Sequence, residues 1–355
     1  MARTFLSSTF VIIGIGSVLL TGCSSDVTSE APRQPSEQRS VVRLLTHESF
    51  ALSETLIQSL EEQGIILEIQ TAGDAGTMTS SAVLAAGAPT ADLIFGVDNT
   101  LVSRAASEGV FAEYTSPELD KVLPEFQDQT SGGLVTPIDF GDVCINVDNS
   151  WFAEQGEQPP TSLEALPQFA KRLVVEDPAT SSPGLAFVLA TIARFGDSWT
   201  DYWTQLRDNG VSVAGSWTDA YYTQFTLSGG DRPLVVSYAT SPAAEVLFAE
   251  DTTVTEPSTS SMTDSCYRQI EFAGVLAGAS NPIGAQQVID WLLSPDVQAD
   301  IPVSMFVYPV RSDATLPQAF ADFTPVVESS ALLESEQVAK QLPEILRRWS
   351  EVMGR

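Results

Sequence analysis

The first 39 residues divide into two segments with opposite patterns of apolar and polar positions. An almost uncharged apolar run covers residues 5–20, and Arg3 is the only charged residue in positions 1–22. The run is short for a membrane-spanning helix, which needs about 20 apolar residues, but normal for the core of a signal peptide. Residues 24–39, SSDVTSEAPRQPSEQR, have almost no large apolar residue and cannot form a core. We predict a signal peptide and then a flexible tether, with an uncleaved membrane anchor as the alternative.

The rest of the chain alternates short β-rich runs with segments of helical apolar spacing. Such alternation is typical of an α/β protein with a largely parallel sheet. The pattern predicts strands over residues 41–46, 65–69, 91–96, 135–137, 143–147, 173–176, 211–214, 234–238 and 267–273. It predicts helices over 50–62, 77–86, 100–108, 286–293 and 335–352, and helix starts near 162, 183, 198, 217 and 242.

Two further features bear on domain organisation. The extended runs on either side of Gly141 lie close together, as expected where a chain crosses between two lobes. About 315 residues follow the tether, a length that suggests two domains or lobes. The Ser/Thr-rich stretch over 252–263 predicts an exposed loop.

Charge excludes one class of function. The chain carries 17 Lys and Arg against 46 Asp and Glu, a formal net charge of −29 at pH 7. Nucleic-acid-binding proteins carry the opposite sign, so we exclude a nucleic-acid partner. The acidic surface favours solubility, and the same field attracts cationic ligands.

The three cysteines have two predicted roles. Small residues precede Cys23 in the sequence LTGC, and cleavage before Cys23 would expose its thiol for lipid attachment. We therefore predict an extracytoplasmic protein anchored to the cell membrane by lipid. Cys144 and Cys266 remain as an even pair in an oxidising compartment, which favours a disulfide, with two buried free thiols as the alternative. Neither lies in a C-x-x-C pattern, which argues against a zinc site or a redox dithiol.

Catalytic motifs are scarce. His47 is the only histidine, and the chain has neither a G-x-S-x-G motif nor a phosphate-binding G-x-x-x-x-G-K-[ST] loop. A metal site built on several imidazoles is impossible with one histidine. These absences disfavour an enzyme without excluding one, and we predict no catalytic residue, no metal and no cofactor.

Three segments carry candidate binding chemistry. In residues 177–184, DPATSSPG, Ser182 is the predicted N-cap of a helix and Pro183 its first residue. A helix N-terminus with free N–H groups can hold an anion or a hydroxyl group. Trp217 is predicted in the first turn of a helix, and Tyr238 at the C-terminal end of a strand, where open α/β sheets bind ligands. A plain cap, a core tryptophan and an ordinary strand tyrosine are the alternatives.

These segments and others along the chain resemble the thiamine-binding proteins of bacterial ABC transporters. Those proteins belong to the two-lobed periplasmic-binding-protein superfamily. The matching stretches are LTHESFA (45–51), ADLIFGVDNTLVSRAASEGVF (91–111), TPIDFGDVCINVD (136–148), VEDPATSSPGL (175–185), SWTDAY (216–221), VVSYATSP (235–242) and DIPVSMFVYPV (300–310). The resemblance implies a type II fold in which each lobe is a mixed, mainly parallel sheet flanked by helices. It also implies closure over the ligand by a hinge near Gly141 and Cys266.

On this basis the chain is divided into four parts. The predicted boundaries are a signal peptide at 1–22, a lipidated tether at 23–39, a first lobe at 40–140 plus 268–355, and a second lobe at 141–267. The resemblance further implies a monomer that delivers thiamine, or its mono- or diphosphate, to the permease subunits of an ABC transporter.

The resemblance also implies the binding site. Positions that match ligand-contacting residues of the family are Ser181, Ser182, Trp217, Tyr238 and Ser241. Asp74 matches an Asp-Gly pair, with one residue inserted. His47 stands where relatives carry a tyrosine, and Phe306 where some carry a tryptophan.

The chemistry of thiamine suits these residues. Its permanent thiazolium cation favours the aromatic faces of Trp217, Tyr238 and Phe306. A carboxylate such as Asp74 can pair with that charge or accept from the exocyclic amine.

Two alternatives stay open at this point. The first is a ferric-ion binder of the same fold, for which Tyr221 and Tyr222 are the candidate tyrosine pair. The second is a thiamine-degrading enzyme, for which Cys144 is the candidate nucleophile.

Overall fold

The computed structural model describes residues 39–251, 253–328 and 330–355. The predicted signal peptide, Cys23 and the tether up to residue 38 lie outside the described residues. Within the described ranges, no helix is both long and apolar enough to cross a membrane.

One mixed β-sheet runs through the described part of the chain. Its strands are β1 (Ser40–Thr46), β2 (Ile65–Thr71), β3 (Leu93–Asp98), β4 (Thr136–Asp148), β5 (Leu173–Glu176), β6 (Ser212–Ala214), β7 (Leu234–Tyr238), β8 (Thr259–Val275) and β9 (Tyr308–Pro309). The order is β2-β1-β3-β8-β4-β7-β5-β6, with β9 paired to β4 off this path. The strands of each end, β2-β1-β3 and β7-β5-β6, run parallel. The long central strands β4 and β8 are antiparallel to each other and to their neighbours β7 and β3.

Helices cover this sheet. They are α1 (Glu54–Glu62), α2 (Ala75–Leu84), α3 (Val102–Ser107), α4 (Pro124–Gln127), α5 (Asn149–Gln155), α6 (Ser182–Phe195), α7 (Trp199–Asp208), α8 (Trp217–Asp219), α9 (Ser241–Leu247), α10 (Pro282–Leu292), α11 (Pro295–Ser304), α12 (Gln318–Phe323) and α13 (Ser335–Met353). Short 3₁₀ segments lie at Pro117–Lys121, Leu166–Arg172, Gly196–Ser198 and Thr226–Ser228, and a π-helical turn lies at Ala220–Gln224.

The two ends of the sheet are the two lobes. Helices α1, α2 and α10 contact the first-lobe strands β1 to β3, and α6 contacts the second-lobe strands β5 and β7. Strand β4 pairs with β9 at Phe140 and with β7 from Val143 onward, so its partner changes around Gly141. This is the predicted two-lobed periplasmic-binding-protein fold. The residue boundaries between the lobes stay a prediction.

Most predicted elements are present, with differences at their ends. The two runs around Gly141 are one continuous strand, β4, because β8 pairs along most of its length. The exposed loop predicted over 252–263 is wrong for residues 259–263, because Thr259–Met262 pair with the end of β4 and extend β8. The helix start predicted near residue 162 is wrong: a turn precedes a 3₁₀ segment that begins at Leu166. Pro167 has no N–H to donate to the Leu163 carbonyl, as a helix starting at residue 162 would require.

A disulfide joins the two central strands. It links Cys144 of β4 to Cys266 of β8, and both residues are buried. The predicted pair is therefore in the disulfide form, and the thiol of Cys144 is not free.

Candidate ligand-binding site

A cavity of about 290 Å³ lies between the two lobes. It is lined by His47, Glu48, Ser49, Ala51, Asp74, Ala75, Ser182, Pro183, Trp217, Thr218, Tyr222, Tyr238, Gln269, Glu271, Ser304, Met305, Phe306 and Val307. Its volume is near the lower end of the range for small-molecule sites, roughly 300–1,000 Å³. A wider groove of about 830 Å³ beside α3 and α13 contains none of the predicted site residues. The interlobe cavity is therefore the candidate site.

Six of the predicted residues line this cavity: His47, Asp74, Ser182, Trp217, Tyr238 and Phe306. Ser181 and Ser241 do not. Ser241 lies instead on an adjoining cavity of about 350 Å³ that shares Trp217, Tyr238 and Phe306 with the first.

The cap of α6 is Ser181, and the prediction that Ser182 caps this helix is wrong. Ser181 has an extended backbone (φ −113°, ψ 130°), and its Oγ accepts from the Gly184 N–H at 3.5 Å. Ser182 is already helical. Its hydroxyl is buried, donates to Asp98, and accepts from Gln269 Nε2 at 2.8 Å. Both hydroxyl groups thus already have partners within the protein.

Trp217 begins α8, as predicted, and its indole ring is held on two sides. Its Nε1–H donates to Ser237 Oγ at 3.0 Å, and Ser237 Oγ is bonded to Ser241 Oγ at 2.9 Å. Tyr221 stacks on the indole with 5.1 Å between ring centroids and 17° between planes. Ser241 therefore contributes to the site by fixing the indole rather than by lining the cavity.

Tyr238, Phe306 and the half-exposed Tyr222 are the other Tyr and Phe residues of the lining. Tyr238 ends β7, as predicted, and its ring lies so close to Gly141 that an added Cβ there would be 2.9 Å from Cδ1. Phe306 follows α11 with φ of +62°, a left-handed conformation that is strained for a bulky residue. The Thr240 hydroxyl donates to the Phe306 carbonyl, so a second-lobe residue holds this first-lobe segment.

Asp74 lines the cavity and joins the two lobes through a hydrogen bond. It caps α2, with Oδ1 accepting from the Ala75 N–H at 2.6 Å and Oδ2 accepting from the Trp217 N–H at 2.9 Å. Burial raises the pKa of Asp74, and these two donors offset only part of that rise. Both carboxylate oxygens are thus engaged with backbone. Direct pairing of Asp74 with a ligand stays a prediction.

His47 lies against carboxylates. Its Nδ1 bonds to Ser49 Oγ at 2.9 Å, and its Nε2 is 3.7 Å from Glu271 Oε2. The ring occupies the space above Gly96, whose φ is +95° and where a Cβ would be 2.2 Å from the imidazole. Burial lowers the pKa of His47, but the carboxylates of Glu271, Asp74 and Glu48 outweigh it and raise that pKa above 6.5.

Gln269 and Glu271 of β8 line the cavity but were not predicted from the sequence. Glu271 is in register with Asp98 on β3 and with Asp139 on β4, so three carboxyl groups form a row across the sheet. Burial and the charge of Glu271 raise the pKa of Asp139 well above its ordinary value, and burial raises that of Asp98 to about 6. The available signal was the pair of polar residues two positions apart, on one face of the predicted strand 267–273.

Aromatic rings and carboxylates thus meet around one enclosed space. Such a site suits a flat, positively charged organic ligand. Among the described residues, no group of three His, Cys, Asp or Glu side chains is arranged to hold a metal ion.

Comparisons with known proteins also indicate a solute-binding protein. The profile of a family described as bacterial extracellular solute-binding proteins matches residues 88–326. The thiamine-binding periplasmic protein of Escherichia coli (strain K12) is 28% identical over 268 residues, which cover 75% of this chain and 77% of that protein. The solved structure of a periplasmic thiamin binding protein has a TM-score of 0.77 at 27% identity and covers 89% of this chain and 96% of its own. A ferric binding protein from Campylobacter jejuni has a TM-score of 0.68 at 16% identity, covering 88% of this chain and 99% of its own, and shares the fold alone.

Proposed function

The chain belongs to the bacterial extracellular solute-binding proteins, and we propose that the solute it binds is thiamine or its mono- or diphosphate. The family places the chain outside the cytoplasm and makes it a binding protein rather than an enzyme. The relatives named above bind thiamine by their own descriptions. The same ligand for this chain is our inference.

One observation carries this proposal: four Trp, Tyr or Phe rings and three carboxyl groups line a cavity that has no lysine or arginine among its described lining residues. The rings belong to Trp217, Tyr222, Tyr238 and Phe306, and the carboxyl groups to Glu48, Asp74 and Glu271. A cation over an aromatic face gains about 0.5–2 kcal/mol, most where water is excluded. The thiazolium ring of thiamine carries a permanent charge, so it keeps this gain at every pH.

We also propose how the protein works in the cell. Lipid attached at Cys23 would hold the protein at the membrane, and residues 24–39 would let the two-lobed body reorient. The body, as a monomer, would then deliver its ligand to the permease subunits of an ABC transporter. Support comes from the sequence pattern of the first 23 residues and from the family.

The surroundings of Tyr221 disfavour the ferric-ion alternative. Tyr221 stacks on Trp217 within the core, and burial raises the pKa of its phenol, which disfavours the tyrosinate that iron requires. The enzyme alternative loses its nucleophile, because Cys144 is in a disulfide.

Isothermal titration calorimetry of the purified protein with thiamine, its two phosphates and ferric citrate tests the proposal. We expect 1:1 binding of at least one thiamine form with Kd of about 1 μM or tighter, which corresponds to about −8 kcal/mol. No heat with any thiamine form would overturn the proposal. A visible tyrosinate-to-iron absorption band with ferric citrate would then favour the ferric-ion alternative.

A further inference from the structure

We propose that Gln269 and Glu271 form the floor of the cavity and select for a cationic ligand, with Glu271 as counter-charge and Gln269 as hydrogen-bond acceptor. This inference rests on the proposed thiamine-binding function and assigns its charge selectivity to two residues.

The two side chains share one face of the central strand β8. Residues two apart on a strand point to the same side, and both residues line the interlobe cavity. Gln269 is 1% exposed and Glu271 8% exposed. Both residues lie where β8 pairs with β4, and Glu271 also pairs with β3.

Gln269 presents an unused acceptor. Its Nε2 donates to Ser182 Oγ at 2.8 Å, whereas its buried Oε1 has no hydrogen-bond partner. A buried acceptor without a donor is costly, so a ligand with an N–H group relieves that cost on binding. The exocyclic amine of an aminopyrimidine is such a donor.

Glu271 differs from the other carboxyl groups near the cavity. Asp74 accepts from two backbone N–H groups, and Asp98 accepts from Thr100, Leu101 and Ser182. Asp139 is fully buried and does not line the cavity, and burial together with the charge of Glu271 raises its pKa well above the ordinary value.

The cationic group nearest to Glu271 is His47. Its Nε2 is 3.7 Å from Glu271 Oε2, and no lysine or arginine forms an ion pair with Glu271 within the described ranges. When His47 is neutral, the charge of Glu271 is therefore available to a ligand.

Thiamine and 3-deazathiamine have nearly the same shape, but only thiamine carries the positive ring charge. Comparing the binding of the two ligands therefore isolates the contribution of charge. In calorimetry, Glu271→Gln should weaken thiamine binding by about tenfold to a hundredfold, the range for a hydrogen bond or pair involving a charged group. The same variant should change 3-deazathiamine binding less than about threefold. Gln269→Met should weaken both ligands equally, because it removes an acceptor rather than a charge.

Two control variants complete the experiment. Asp139→Asn, which replaces a carboxyl group that does not line the cavity, should change thiamine affinity less than Glu271→Gln does. Glu271→Asp keeps the charge and should keep the preference for thiamine, which covers the case in which Glu271→Gln does not fold. Equal losses for both ligands in Glu271→Gln, or a preference lost in Glu271→Asp as well, would overturn the inference while the thiamine function stands. A wild-type protein that binds neither thiamine nor either of its phosphates overturns both.

Discussion

At the residue scale, neighbours decide what each site residue can do. The indole of Trp217 is fixed by Ser237 and Tyr221, and Asp74 is occupied by two backbone donors. His47 is the residue whose charge changes near neutral pH, since its pKa is raised above 6.5. The charge of the cavity therefore depends on pH.

Thiamine affinity should rise with pH through the raised pKa of His47. Protonated His47 repels a cation, so the neutral form binds best, and the gain appears above about pH 6.5. A ligand that lowers the pKa of His47 by about one unit implies about a tenfold change in affinity. Asp98 has a pKa of about 6, so as the pH rises it loses its proton before His47 does. The negative charge that Asp98 gains also increases the affinity for a cation. Calorimetry across pH measures the effect.

His47→Gln isolates the histidine contribution. This variant should lose the part of the pH dependence that His47 contributes above about 6.5. It should keep the part due to Asp98 near pH 6 and any part due to Asp74 and Asp139, whose pKa values are also raised. An unchanged pH profile in His47→Gln would show that His47 does not control the charge of the cavity.

The sequence predicted the aromatic site residues because their place at a helix start or a strand end follows from local pattern. Trp217 and Tyr238 are where the pattern placed them. That Ser181 rather than Ser182 caps α6 was not predictable, because it depends on the extended backbone of Ser181. Glu271 was visible as a polar position in the predicted strand 267–273, but its proximity to His47, which is far away in sequence, required the structure.

At the scale of elements, the N-terminus of α2 meets the loop before α6 across the cavity. The Thr77 N–H donates to the Thr180 carbonyl at 3.1 Å, which joins first lobe to second. Gly76 makes this approach possible, since an added Cβ would be 2.6 Å from the Thr180 carbonyl oxygen. The lobes thus touch through a contact that only glycine permits.

Gly76→Ala should therefore hold the lobes apart. Overpacking costs about 1–3 kcal/mol, so thiamine affinity should fall about fivefold to 150-fold. Small-angle X-ray scattering of the thiamine-saturated variant should give a larger radius of gyration than the saturated wild type. Gly215→Ala is the matched control, because a Cβ at Gly215 meets nothing within 4 Å. Equal affinities in the two variants would contradict a closing contact at Gly76.

Most helices and strands were predictable because each buries one face, so its apolar residues recur at the spacing of a helix or of a strand. Strands β5 and β7 begin and end as predicted. The first half of β8 was not predictable, because its Ser/Thr-rich sequence is typical of a loop and its strand conformation depends on pairing with β4.

At the scale of the whole molecule, β4 and β8 carry the connection between lobes, and the disulfide ties them together. It spans 122 residues of sequence, so it restricts the unfolded chain strongly. The double variant Cys144→Ala, Cys266→Ala should lose about 3–5 kcal/mol of unfolding free energy. Chemical denaturation measures this loss, and reduced wild-type protein should show a similar shift. Identical midpoints for the oxidised protein and the double variant would contradict a stabilising role.

The two-lobed architecture was predictable through family resemblance rather than through periodicity alone. Alternating strands and helices indicated α/β, but many α/β folds share that pattern. Only the ordered matches along the chain distinguished a two-lobed binding protein. The contacts that join the lobes, such as Asp74 with Trp217, come from residues far apart in sequence and required the structure.

The central claim is that thiamine binds in the interlobe cavity against Trp217. Titration of intrinsic tryptophan fluorescence with thiamine, in the wild type and in Trp217→Phe, tests it most directly. We predict saturable 1:1 quenching in the wild type and the loss of most of that quenching in Trp217→Phe, with weaker affinity by calorimetry. The other five tryptophans serve as the internal reference. No quenching in the wild type, or the same quenching and affinity in Trp217→Phe, would contradict the account.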